Sequence, residues 1–136
     1  MVQFINFKTM KEKTEIDIIL IGDIIEQAFS SGSGYWCNVI HTIKPEKERA
    51  YKKPKPRFSD AVDKLLKGWV LVIHHSYNCE FLGDLKMEMV YHGLEILKDD
   101  DPDHYEMIQD GAWSNSTADA LLQYSLFGEI LFTGAE

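Results

Sequence analysis

Only two cysteines, Cys37 and Cys79, occur in this 136-residue chain. They are too few and too far apart to suggest a disulfide framework or a zinc knuckle, so the expectation is two buried, reduced thiols. Basic residues are also scarce: 14 Lys and Arg stand against 22 Asp and Glu, a net charge of -8. That balance disfavours binding to duplex DNA. No apolar run reaches the length of a membrane span, because Asp17 and Asp23 interrupt the best candidate, Ile16 to Ile25. The start lacks the order of basic, apolar and small residues that marks a signal peptide. None of the five histidines (His41, His74, His75, His92, His104) forms a helical His-x-x-x-His or His-Glu pair, so neither a metal site nor a cofactor is expected. These absences point to a soluble, cytoplasmic domain away from the membrane.

What is present indicates one folded unit over 1–136, since 45% of the residues are hydrophobic and 12% aromatic. Thr14-Glu-Ile-Asp17 resembles a capping box. Behind it, Ile18, Ile21, Ile25, Ala28 and Phe29 share one helical face, which predicts a helix from about Glu15 to Phe29. Gly32 and Gly34 are expected to end it in the left-handed conformation. Aromatic and β-branched alternation predicts a strand over Tyr35 to Ile43. Pro45, Pro54 and Pro56 make Lys44 to Arg57 a loop.

Ser59-Asp60 caps a short helix with Ala61, Val62, Leu65 and Leu66. Trp69 to Tyr77 is the strongest strand; its apolar first half suggests a central strand buried on both faces, with Val70, Val72 and Ile73 inside. Asn78 to Gly83 reads as a turn. Leu85 to Leu97 allows either a brief strand followed by a helix that Gly93 interrupts, or one continuous helix. A helix from about Thr117 to Phe127, with Ala118, Leu121, Leu122, Ser125 and Leu126 inward, precedes a strand over Ile130 to Phe132. This order predicts an α+β fold: a small, mostly antiparallel sheet of three to four strands with helices packed on one face. No Gly-rich phosphate fingerprint follows either good strand to favour a parallel α/β unit.

Charge is segregated. Seven basic residues between Lys44 and Arg57, Lys52 and Lys53 among them, face only Glu46 and Glu48; this local balance of +5 leaves -13 on the rest. The opposite pole is an acidic segment, read as a loop over 99–110, with Asp99, Asp100, Asp101, Asp103, Glu106 and Asp110. Such poles can steer a charged partner. The spacing Asp99-x-Asp101-x-Asp103 with Asp110 mimics a calcium loop, but His104 occupies the position where the sharp turn demands glycine. His74-His75-Ser76 contains one His-x-Ser of the kind that two-histidine phosphoesterases use twice, and the second copy is missing. Gly32-Ser-Gly34 beside Tyr35 and Trp36 could hydrogen-bond an anion and stack a base; the alternative is that Trp36 locks the first helix to the sheet. Trp113 lies in a polar loop as a core plug or a contact residue.

The Gly-x-Gly-Tyr-Trp-Cys segment at Gly32 to Cys37 and the Thr-Ala-Asp-x-x-x-Gln-x-x-x-Phe-Gly-Glu run at Thr117 to Glu129 resemble those of a family of small uncharacterised proteins of phages, prophages and plasmids. The resemblance implies a genetic context, with a host bacterial cytoplasm as the location, and no activity. Three readings follow. The first is a non-enzymatic accessory protein that binds and neutralises a host protein, in the manner of an anti-CRISPR-like or other anti-defence inhibitor. The second is a sponge for a nucleotide signal. The third is a small hydrolase using His74 or His75. Candidate binding residues are Tyr35, Trp36, Lys52, Lys53, Asp100, Asp101, Asp103 and Trp113.

Overall fold

A computed structural model describes residues 18–51 and 58–133. The capping box at Thr14 to Asp17, and Lys52, Lys53, Lys55 and Arg57 of the basic loop, lie outside the described residues. Within them the chain is α+β, with five helices and one three-stranded antiparallel sheet. Helix α1 occupies 18–27 and runs on into a π-helical turn, Ala28–Gly32. Strand β1 (Cys37–Ile43), helix α2 (Asp60–Leu66), strand β2 (Val70–His75) and strand β3 (Phe81–Leu85) follow. Helices α3 (Met87–Asp100), α4 (Pro102–Gln109) and α5 (Asn115–Phe127) complete the described order.

β2 is central, as its apolar run predicts, but among the described residues only one face of the sheet is covered. Leu71 and Ile73 are buried with Leu85 and Cys37, whereas Val70 and Val72 are half-buried and face outward with the exposed Ile43 and Phe81. Both outer strands carry a register break, β1 between Val39 and His41 and β3 between Phe81 and Gly83, which face His74 and Ile73 of β2. The expected turn over Asn78 to Gly83 is shorter than predicted, because Phe81 already pairs with His74. β1 likewise begins only at Cys37, leaving Tyr35 and Trp36 in the turn before it.

α5 is the centre of the molecule. Every residue from Thr117 to Ser125 is buried, so helices and sheet surround it instead of meeting it along one stripe. Ser114 and Thr117 start it with a capping box, each side chain bonding the other's backbone N–H, and Gly128 ends it at φ 77°. Leu85 to Leu97 resolves into the end of β3 and one uninterrupted helix. Gly93 lies inside α3, where an added Cβ would come 2.7 Å from Ser125 Cα. Glycine is there to let α3 and α5 approach closely, a helix–helix requirement that local propensity hides.

Two further expectations fail. The acidic segment is helical: α3 continues through Asp100, and Pro102 opens α4 at a first-turn position where its missing N–H costs nothing. Ile130 to Phe132 forms no strand, because its backbone groups are taken by a side chain of α5.

Candidate functional site

The polar centre of the fold is built around Asp119, which is 5% exposed. Its Oδ1 accepts from Ser33 Oγ at 2.7 Å and from Trp36 Nε1 at 2.7 Å. Its Oδ2 accepts from the Tyr35 hydroxyl at 2.7 Å and from Gln123 Nε2 at 3.1 Å. Four donors saturate the carboxylate, and the buried side-chain polar atoms among the described residues all have partners. Asp119 and Gln123 stand one turn apart on α5, which aligns them on one face.

The π-turn after α1 delivers the other donors. Ser33 N–H reaches back to Ala28 O at 2.7 Å, tightening the chain reversal. Gly32 is needed for proximity: a Cβ there would sit 2.8 Å from the Asn115 carbonyl oxygen. Neither Gly32 nor Gly34 has the left-handed φ expected of them. Gln27 also donates to Asn115 Oδ1, so the start of α5 is pinned to the end of α1.

Gln123 also holds the segment after α5. Its Oε1 accepts from Leu131 N and Phe132 N, each at 2.8 Å, and its Nε2 donates to Phe132 O at 2.9 Å. The Phe132 ring stacks on Trp36 with centroids 5.1 Å apart and planes 8° apart. It also meets His75 at 5.5 Å and Phe127 at 6.0 Å.

Beside this network a cleft of about 230 Å³ opens between the α3–α4 corner, α5 and the segment after it. Asp101, His104 and Ser116 line it together with Asp119, Gln123 and Phe132. His104 Nδ1 is 2.9 Å from Thr117 Oγ1, and its Nε2 is 3.9 Å from Asp101 Oδ2. The acidic corner borders this cleft. Asp99, Asp100, Asp103, Glu106 and Asp110 are exposed on it, and none has a cation within ion-pair distance among the described residues.

Of the sequence-predicted binding residues, Asp100, Asp101 and Asp103 share this corner, and Asp101 enters the cleft. Trp36 is 0% exposed and packs in the core, as the alternative reading of it expected. Tyr35 is half-buried with its hydroxyl on Asp119, and Trp113 is half-buried against the core. The described part of the basic loop is tied to the α2–β2 corner: Glu48 accepts from Trp69 Nε1 at 2.6 Å, and Arg49 N bonds Lys67 O at 2.7 Å.

His74 and His75 point to opposite faces of β2. His74 meets Phe81 on the outer face, and His75 packs under Phe132. They form no joint acid–base pair. Burial, with the Asp119 charge adding to it, pushes the Cys37 thiol up to about 12, whereas Cys79 is exposed, against the expectation of two buried thiols. The calcium-like spacing falls on two helices instead of one loop, and no metal-holding group of three His, Cys, Asp or Glu occurs among the described residues. No helix among them is long and apolar enough to cross a membrane.

Asp119, Gln123, Ser33 and His104 were missed as a group by sequence reasoning. The available signal was an Asp and a Gln four residues apart inside an otherwise apolar helix, a burial that demands partners. No protein-family model, curated protein or solved structure matches this chain.

Proposed function

We propose that the protein is a non-enzymatic accessory protein of a mobile genetic element. In this reading it binds a host protein stoichiometrically and neutralises it, with a defence component as the expected target. The observation that carries the reading is the α3–α4 corner, where Asp99, Asp100, Asp103 and Glu106 project from helical backbone, with Asp110 at the C-cap of α4, without cationic partners among the described residues. Helices hold these charges in a fixed array, which costs less ordering on binding than a loop would. Unpaired carboxylates attract a basic surface and raise its association rate. The mobile-element context rests on the resemblance of the Gly32 to Cys37 and Thr117 to Glu129 segments.

Further support comes from how the interior polar groups are used. Asp119 is saturated by its four donors, and His74 and His75 diverge. The test is capture of a host protein from bacterial lysate at low salt, followed by titration of the purified pair. One equivalent should saturate the target, and Asp100→Lys/Asp103→Lys/Glu106→Lys should bind more weakly while melting as the parent does. Neutralisation at far below one equivalent would sink the binder reading. Unchanged binding by the reversed variant would remove the corner as its contact surface.

A further inference from the structure

The cleft beside the α3–α4 corner borders a charge whose bonding partners do not balance it. Asp119 lines the cleft at 5% exposure, and its four donors, Ser33, Tyr35, Trp36 and Gln123, are all neutral groups. Among the described residues no Lys, Arg or His nitrogen lies within ion-pair distance of its carboxylate. A charge withdrawn from water is ordinarily paired with an opposite one or bound to a metal. The cleft gives such a counter-charge access to Asp119.

The rest of the lining narrows what that counter-charge is. A volume of about 230 Å³ is below the roughly 300–1,000 Å³ of a pocket for a whole drug-sized ligand, and it suits a single side chain. The four donors already fill both Asp119 oxygens, so that residue contributes charge and Asp101 contributes the bond. Asp101 is half-buried at the start of α4, and its side chain takes no part in capping that helix. Its Oδ2 lies 3.9 Å from His104 Nε2, beyond hydrogen-bond length. Ala120, Ile130 and Phe132 add apolar surface. No set of three His, Cys, Asp or Glu could hold a metal among the described residues, which leaves an organic cation. A guanidinium matches best: it takes a carboxylate in two parallel bonds, and water holds it less tightly than an ammonium. Its methylene stem lies readily along apolar surface.

We infer that this cleft receives one arginine side chain of the protein partner, its guanidinium on Asp101 near the Asp119 charge and its stem along Ala120, Ile130 and Phe132. The inference rests on the proposed binder function and deepens it: the exposed carboxylates of the corner attract a basic surface, and the cleft selects one residue of it.

The test needs no partner, so it is independent of whether a host protein is captured. The full chain is titrated with Nα-acetyl-arginine N-methylamide and followed by amide NMR. The His104, Ser116 and Ala120 amides should shift and saturate, while those of Glu106 and Asp110, equally acidic but outside the cleft, should stay in place. The citrulline analogue, of the same shape without the charge, should leave all of them unmoved, and the lysine analogue should bind several-fold more weakly. Asp101→Asn should melt as the parent does and lose affinity several-fold. Shifts spread evenly over the acidic corner, equal binding of the arginine and lysine analogues, or unchanged affinity in Asp101→Asn would each overturn the inference. Tighter binding of free arginine than of the capped form would make the cleft a metabolite site and overturn it too. A silent cleft beside a captured host protein would end this inference alone; a saturable cleft with no captured protein would end the binder reading alone.

Discussion

Trp36 Nε1 donates to Asp119 Oδ1 across 2.7 Å, joining the turn after the first described helix to the middle of the last one, 83 residues later. The indole is wholly buried and cannot find water, so its N–H depends on this carboxylate. Ser33 shares the same oxygen, and Tyr35 and Gln123 take the other. One side chain thus satisfies four others.

Asp119→Ala strands those four donors together. Each buried donor left without an acceptor costs about 1–3 kcal/mol, so losing the acceptor of four at once should cost more than losing any one of them. Asp119→Asn should be nearly as damaging, since the amide nitrogen must face one of the two donor pairs. Ser33→Ala removes a single donor and should cost about 1–3 kcal/mol. Urea melts of the three variants check the order; an Asp119→Ala protein as stable as Ser33→Ala would show that the network contributes little.

The contact of α3 with α5 makes a second case. Gly93→Ala places a methyl group 2.7 Å from both the Cα and the backbone N of Ser125, so the helices must separate. Overpacking of this kind costs about 1–3 kcal/mol. Adding Ser125→Ala should not rescue the variant, because backbone atoms make the clash. Thermal melts of the single and double variants decide this, and recovery in the double variant would place the conflict at the hydroxyl instead.

A third prediction concerns the two thiols and pH. Native protein should react with a thiol reagent once, at Cys79, and a second time only after unfolding. Burial keeps the Cys37 proton bound up to about 12, against an ordinary value of 9.0. Its contribution to stability is therefore complete below about 9 and is lost as pH rises towards about 12. Tyr124 is also raised by burial and by Asp101 and Asp100, so it acts in the same direction. Cys37→Ala isolates the thiol: its stability should fall less between neutral and strongly alkaline pH than that of the parent. Parallel pH profiles would contradict this.

The parts of the fold readable from sequence were those set by local periodicity and caps. Ile21 and Ile25 of α1 and Ala28 of the π-turn behind it are buried as their spacing demands, Ser59 caps α2, and Leu121 and Leu122 sit in the core. The unreadable parts depend on neighbours. Gly93 looks like a helix breaker until α5 is beside it. Ile130 to Phe132 has strand composition, but Gln123 supplies the partner that a strand would have found. Of the candidate site, the acidic cluster was legible as charge and illegible as helix, because aspartates are poor helix formers and only tertiary packing overrides that preference. Trp36 was legible as an aromatic beside glycines, while its role as a buried donor required knowing that Asp119 lay opposite.

The position of α5 has a consequence for biosynthesis. The helix that α3, α4, the π-turn and β3 pack against is the last one described, so until it leaves the ribosome the apolar side of α3 lacks its main partner. A growing chain at that stage is a sticky intermediate with exposed Leu and Ile, the kind of species that chaperones retain.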